Sequence, residues 1–392
     1  MNQIQKSLNK LWNKNFILLL NANLLMAIAF YFMTPMMPLF LTDKFGLEAD
    51  KTGIFMFSFT ISAIIMRPFA GYLLDAYNRH LIYIISFVFF ILLFVSYPVI
   101  SSLAILLIFR FLHGFTWGSI NTAATTIAVD IIPQNRRGEG LGFFGLSMTL
   151  AMAVAPMLAV SISKSFDYDV LFLSGAAISF IGLLLALLIK VQKTKKDKSK
   201  LSLSLLIDKK SIPLSLIPLL TQIPYGGIMS FVALYGRSIG IVNSGTFFLV
   251  FAVGLAISKV LAGKLFDKIG PNKILYFGYI LLILGLLMIA YFSNSLGYHS
   301  AGFVLGFGFG VIAPTIQAMV NNIIIPEKRG AANSTYLMFF DSGIALGMLI
   351  FGFLIKLVDF SGAFYVSAII VLLSSIIFNR STLPYYYKSL LK

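Results

Sequence analysis

Apolar stretches of membrane-crossing length, separated by short polar connections, occupy nearly all of the 392 residues. A helix rises about 1.5 Å per residue and the hydrocarbon layer of a bilayer is about 30 Å thick, so about 20 apolar residues suffice to cross it. That pattern predicts twelve spans, near residues 15–42, 52–74, 81–98, 101–129, 139–163, 169–189, 213–236, 243–266, 273–292, 297–323, 331–356 and 360–379. The chain therefore reads as an all-α membrane protein.

Polar landmarks divide the twelve spans into two sets of six. Gly71 and Asp75 recur 192 residues later as Gly263 and Asp267, and Arg67, just upstream, has a basic counterpart in Lys259. Gly114, Gly118, Asp130 and Gly138 fall on Gly306, Gly310, Asn322 and Gly330 at the same offset. Apolar composition alone does not hold polar and glycine positions at one fixed distance. A parallel duplication of a six-helix unit does, with the two halves related by an axis along the membrane normal. The predicted organisation is an N-terminal six-helix bundle over residues 1–189, a basic linker over 190–212 and a C-terminal six-helix bundle over 213–392.

Hydrophobic residues make up 59% of the chain and charged residues 11%, against roughly half and a quarter in soluble domains. The formal charge of +16 raises the question of a nucleic-acid partner, and the placement of the 30 Lys and Arg residues answers it. Twenty-two lie on one side of the spans, among them Lys6, Lys10, Lys14, Arg79, Arg136, Arg137 and eight lysines from Lys190 to Lys210; Lys44, Lys51, Lys164, Arg237 and Lys356 lie on the other. The positive-inside rule then places both termini and the linker in the cytoplasm. The basic charge records topology, no nucleic-acid partner is expected, and the linker lysines suit anionic lipid headgroups. With no cysteine present, disulfides, thiolate catalysis and cysteine metal sites drop out, and no metal or other cofactor is expected. The first apolar run is too long for a cleavable signal and lacks a small-residue cleavage site, so it reads as the first span.

Ionisable groups at bilayer depth cost roughly 2.5 to 3.5 kcal/mol each on insertion scales, and so face a cavity or a partner. Four stand out: Arg67 in span 2, Arg110 in span 4, Lys259 in span 8 and Asp341 in span 11. Unless they pair with backbone carbonyls or snorkel, three cations against one anion would give a central cavity excess positive charge and favour anionic or zwitterionic solutes. Arg110, His113, Trp117 and Asn121 share one stripe of span 4, either the lining of a polar path or a set of interhelical hydrogen bonds with an interfacial tryptophan. Gln317 and Asn321 share a face of span 10, as solute contacts or as helix–helix glue, and Asn333, Leu337 and Asp341 share one of span 11. Asp341 is the one carboxylate in the middle of a span. Such a group can load and release protons as its surroundings open and close, as can the imidazole of His113; a static ion pair between Asp341 and Lys259 or an arginine is the alternative.

Gly71, Leu73, Asp75, Asn78 and Arg79 mark the cytoplasmic end of span 2 and the turn after it. Glycine permits close helix approach, an aspartate can bond a neighbouring helix N-terminus, and asparagine tolerates a left-handed turn. With Gly263 and Asp267 they are expected to form a latch that breaks and reforms during transport.

The run Gly71-Tyr72-Leu73-Leu74-Asp75-Ala76-Tyr77-Asn78-Arg79 resembles the loop 2–3 signature of the major facilitator superfamily, with asparagine in place of the usual glycine, and Gly263 to Asp267 with Lys268 and Gly270 resembles a second copy. The resemblance covers essentially the full chain. Leu106, Arg110, Gly114 and Gly118 are similar to the span 4 pattern of drug:proton antiporters, with His113 where glutamine is common; that implies a part in proton coupling for Arg110. Ala151, Ala155, Pro156 and Ala159 resemble the span 5 antiporter motif with every glycine replaced by alanine. Arg67-Pro68-Phe69-Ala70-Gly71 and Phe340-Asp341-Ser342-Gly343 look like bacterial exporters of the arabinose-efflux-permease type, a group that includes exporters of opine metallophores.

The expectation is a bacterial inner-membrane exporter, working as a monomer, that rocks two six-helix bundles about a central site and exchanges a small organic solute for protons. Arg110, His113, Trp117 and Asn121 would line it from the first half with Arg67 nearby, and Gln222, Tyr225, Lys259, Gln317, Tyr336 and Asp341 from the second. Asp341 and His113, with Arg110, would handle the proton. Proton-coupled uptake of a small anion or sugar uses the same residues. An intramembrane enzyme finds no support: there is no H-E-x-x-H, no second intramembrane aspartate and no G-x-S-x-G with a histidine partner. The missing G-x-x-x-x-G-K-[ST] points to an ion gradient, rather than ATP bound by this chain, as the energy source.

Overall fold

A computed structural model describes residues 11–133, 136–163, 165–191, 207–324 and 329–391, and within them the side chains of all but 75, 137–139, 260–269 and 329–331. The helices follow in the order α1 (Lys14–Met33), α2 (Met36–Phe45), α3 (Ala49–Ala76), α4 (Arg79–Ser96), a 3-10 turn at Tyr97–Val99, α5 (Leu103–Ile131), α6 (Arg137–Ile162) and α7 (Tyr168–Leu187). After the linker come α8 (Ile212–Ser238), α9 (Thr246–Tyr291), α10 (Ser295–Asn322), α11 (Arg329–Ile377), a π turn at Phe378–Thr382 and α12 (Leu383–Leu390).

Among the described residues ten runs are long and apolar enough to cross a membrane; the shorter Thr246–Lys259 and the break inside the 59-residue run Ala332–Leu390 bring the number to the predicted twelve. Both breaks have local causes. In α9, Gly270 takes φ 77° and ψ 163°, a region open to glycine, and Pro271 starts the next helix. In α11, Asp359 sits at φ 61° and accepts from the Gly362 N–H through Oδ1 at 2.8 Å, capping the helix that follows. Asn13 and Asn294 cap α1 and α10 in the same way. Along α4, α5 and α7 large exposed side chains such as Phe89, Leu92, Ile108, Leu112, Phe180 and Leu184 are apolar, as a lipid-facing surface requires.

Two compact units emerge: one from Met1–Met33 with Ile61–Leu201, the other from Thr34–Thr60 with Ser202–Lys392. The repeat in the sequence divides the chain at the linker, whereas packing assigns α2 and the start of α3 to the second unit. Three contacts explain that assignment. Arg237 Nη1 donates to both carboxylate oxygens of Asp43 at 2.8 and 2.9 Å. Lys356 pairs with Glu48 at 2.7 Å and Asp50 at 3.0 Å. Gly53 and Gly352 pass each other with a Cα 3.1 Å from where a Cβ at Gly352 would stand.

Within the first unit α1 packs on α6 and α7, and α4 on α5 and α7. Within the second, α8 runs along α11 and α9 along α10. Glycines bring these helices together: a Cβ at Gly343 or Gly347 would collide with the backbone of Leu219 or Ile223, and one at Gly306 or Gly310 with that of Phe251 or Leu255. With no hydrophobic drive between helices in lipid, such backbone approach supplies the dispersion contact that holds them. Gly118 approaches the Ala63 backbone in the first unit. Since Ala63 and Leu255 are themselves 192 residues apart, as Gly118 and Gly310 are, the repeat seen in the sequence recurs as a repeated contact.

Candidate functional site

In the first unit the stripe predicted on span 4 lies on α5 and is mostly interior. Arg110 is 2% exposed, His113 1% and Trp117 7%, with Asn121 half-buried. Trp117 stacks nearly flat on Phe30 of α1, ring centroids 3.9 Å apart. The His113 ring stands edge-on to Phe90 and Phe94 of α4 at 4.6 and 4.7 Å. Its Nδ1 lies 2.9 Å from the hydroxyl of Tyr97. The Arg110 guanidinium lies near the same hydroxyl, and its Nη1 reaches the Met33 sulfur at 3.6 Å. A fixed cation, a phenol and an imidazole thus form one buried cluster packed mainly by hydrocarbon. Tyr97 was not among the residues expected in the site. It occupies a 3-10 turn after span 3, thirteen positions before Arg110, where no helical spacing links it to span 4. Arg67, on α3, is half-buried.

In the second unit the amides form a separate group. Asn333 Nδ2 donates to Asn321 Oδ1 at 2.8 Å, while Asn333 Oδ1 accepts from Gln317 at 3.2 Å and Asn321 at 3.3 Å. Gln317 and Asn321 are therefore tied across α10 and α11 through Asn333. Tyr336 donates to the Ala313 carbonyl at 2.7 Å, and half-buried Asp341 lies five residues further along α11. Tyr225 packs edge-on to Phe309 at 5.2 Å. Gln222 is 2% exposed at the α8–α11 contact beside Gly343, and its Oε1 has no hydrogen-bond partner among the described residues. A buried amide oxygen without a donor is uncommon in folded proteins. The Lys259 side chain is exposed.

The expected latch is partly in view. Asn78 is an extended N-cap of α4, accepting from His80 and Leu81 N–H, and does not take the left-handed turn expected of it. Gly71 makes no close approach either: a Cβ there would meet nothing within 4 Å among the described residues. Arg79 Nη1 instead holds both oxygens of Asp130 at 2.7 and 2.8 Å, joining the start of α4 to the end of α5, and its Nε donates to the Leu74 carbonyl. The side chains of Asp75 and Asp267, and Gly263 with them, lie outside the described residues. No three His, Asp or Glu side chains among the described residues come together as a metal site.

The sequence profile of the Major Facilitator Superfamily matches residues 19–319 and 214–385. A multidrug resistance protein MdtG from Proteus mirabilis (strain HI4320) is 26% identical over 385 residues, spanning 93% of this chain and 95% of its own. Among solved structures the nucleoside transporter NupG superposes with a TM-score of 0.77 at 13% identity, covering 93% of this chain and 99% of NupG. A POT family transporter in complex with a thioalcohol-conjugated peptide gives 0.79 at 13% identity, covering 94% and 96%. At those identities the solved structures establish the fold, while the profile spans nearly the whole chain.

Proposed function

This chain belongs to the major facilitator superfamily, and we propose that it is a proton-coupled exporter of a small organic solute. It is a multi-pass membrane transporter and not an enzyme; the further reading concerns direction, coupling and solute. The buried Arg110–Tyr97–His113 cluster carries it. A permanent cation and a titratable ring enclosed together cost too much to be kept for packing alone, and they supply what coupling requires: a proton site whose occupancy changes the electrostatics next to it. Asp341 supplies a carboxylate on α11, and Gln222 an unsatisfied acceptor for an N–H or O–H of the solute. Full-length similarity to a multidrug resistance protein supports export. The chain works in the bacterial cytoplasmic membrane with both termini inside, as the lysine and arginine distribution favours, and acts as a monomer.

The test uses acid-loaded inverted vesicles containing the protein and a pH dye. Carboxylate-bearing metabolites and chelators, then lipophilic cations, are added in turn. Proton exit driven by a carboxylate-bearing solute, lost in Asp341→Asn while the protein remains folded, supports the reading with an anion-favouring site. Exit driven only by lipophilic cations changes the solute class, and no exit with any solute overturns proton coupling.

A further inference from the structure

We infer that the end of the last helix, together with the residues leading into α8, binds the headgroup of an acidic phospholipid. The inference is independent of solute, direction and proton coupling; it takes from the preceding sections only that the chain spans a membrane. Its first basis is length. After the break at Asp359 the chain stays helical through the π turn and on to Leu390. Phe360 to Asn379 carries no charged residue. At about 1.5 Å per residue that stretch extends about 30 Å, enough for the hydrocarbon layer. Arg380 to Leu390 then continue roughly 15 Å further, among the headgroups on the side of the membrane that holds the linker.

The exposed side of this helix changes its chemistry at that boundary. Leu373, Ile376 and Ile377 are exposed and aliphatic; Arg380, Pro384, Tyr387 and Lys388, also exposed, follow at three- and four-residue spacing on the same side. Aliphatic surface giving way to cations and a tyrosine is the order in which a bilayer passes from acyl chains to headgroups. Elsewhere the helix end is fastened to protein. Thr382 Oγ1 donates to the Pro213 carbonyl at 3.2 Å, the Tyr386 hydroxyl accepts from Asn322 Nδ2 at 3.2 Å, and Tyr276 donates to Asn379 Oδ1 at 2.6 Å. Tyr385 completes the site, because its hydroxyl donates to the Lys210 carbonyl at 3.0 Å. That bond brings Lys209 and Lys210 alongside Lys388, one turn after Tyr385. All three lysines are exposed, and among the described residues none is ion-paired. The neighbouring carboxylate, Asp208, is half-buried and already engaged, its Oδ2 accepting the Ser211 N–H at 2.8 Å. Neutral contacts thus gather three like charges on the flank of a lipid-facing surface. A phosphodiester seated by these lysines, its acyl chains along Leu373 and Ile377, meets both the charge and the apolar surface.

Native mass spectrometry of the full-length protein, titrated with phosphatidylglycerol or phosphatidylcholine, reads lipid binding directly. The expected result is a phosphatidylglycerol adduct that outlasts the phosphatidylcholine one. Its apparent Kd should weaken about thirtyfold in the double variant Lys210→Gln with Lys388→Gln, and recover when both positions are changed to arginine instead. Neither lysine side chain has a partner to lose, so the variant keeps its fold. The charge-matched pair Lys44→Gln with Lys51→Gln, on the other side of the spans, should bind as the wild type does. Binding unchanged in the Lys210 and Lys388 variant overturns the inference. Equal weakening in the Lys44 and Lys51 variant also overturns it, since net charge rather than a site would then explain binding. So does displacement of the lipid by millimolar inorganic phosphate, which would make the lysines a site for a free anion. The measurement needs no solute and no proton movement, so it stands or falls apart from the proposed transport.

Discussion

The two halves of the chain agree where helices touch and differ where chemistry could occur. Gly118 against Ala63 in the first half and Gly310 against Leu255 in the second are one contact made twice. One face further round the same helices the agreement ends: Arg110, His113 and Trp117 stand where the second half has Gly302, Leu305 and Phe309. The lower turns diverge as well. Asn78 caps α4 in extended conformation and Arg79 ties to Asp130. At the equivalent positions Gly270 bends left-handed, Pro271 has no side-chain donor, and Asn322 donates to the Tyr386 hydroxyl at 3.2 Å. Duplication preserved what sets helix spacing and released what sets polarity. A buried cluster of Arg110, His113 and Trp117 in one half and an amide network in the other is the outcome.

The largest effect should come from attacking the shared contact. Gly310→Val and Gly118→Val each push a side chain into a neighbouring backbone, so both should lose the monodisperse peak in fluorescence-detected size exclusion, at a cost at or above the upper end of about 1 to 3 kcal/mol. Gly71→Val, in open space, should keep its peak. If the two contact glycines tolerate valine, the repeated contact is not what sets helix packing within each half.

Next in size is the conformational difference at the turns. Gly270→Ala meets no neighbour, so its whole cost is backbone strain at φ 77°, about 1 to 3 kcal/mol. Asn78→Gly, the reciprocal change, should cost only a few tenths of a kcal/mol. Thermal shifts of equal size at the two positions would erase the distinction between the turns.

A smaller effect is expected at the ion pair that one half alone carries. Arg79 and Asp130 are 17% and 25% exposed, so a double-mutant cycle with Arg79→Gln and Asp130→Asn should return a coupling of about 0.5 to 1 kcal/mol, weakened by salt. Coupling near zero would make the pair incidental.

Much of this was legible in the sequence. The length of the apolar stretches located twelve spans because lipid leaves a spanning chain little choice but helix, and the constant offset located the duplication. Side-chain company was less legible. Arg110 and His113 were visible as costly residues, yet Tyr97, which joins them, belongs to a short turn and carries no periodic signal. Arg79 and Asp130 were each noted, but their pairing joins two helices at a separation in sequence that no pattern encodes. Gly343 and Gly347 stand 192 residues after Ala151 and Ala155, so the glycines missing from the span 5 motif occur in α11, and only the contact with α8 shows why they matter.

Comparing solute exchange with proton-driven transport in His113→Gln tests most directly whether the first-half cluster couples the proton without forming the whole solute site. Exchange of labelled for unlabelled solute across proteoliposomes needs no net proton movement. The account predicts that exchange persists near the wild-type rate while accumulation driven by a pH gradient is lost. Loss of both, or retention of both, would contradict it.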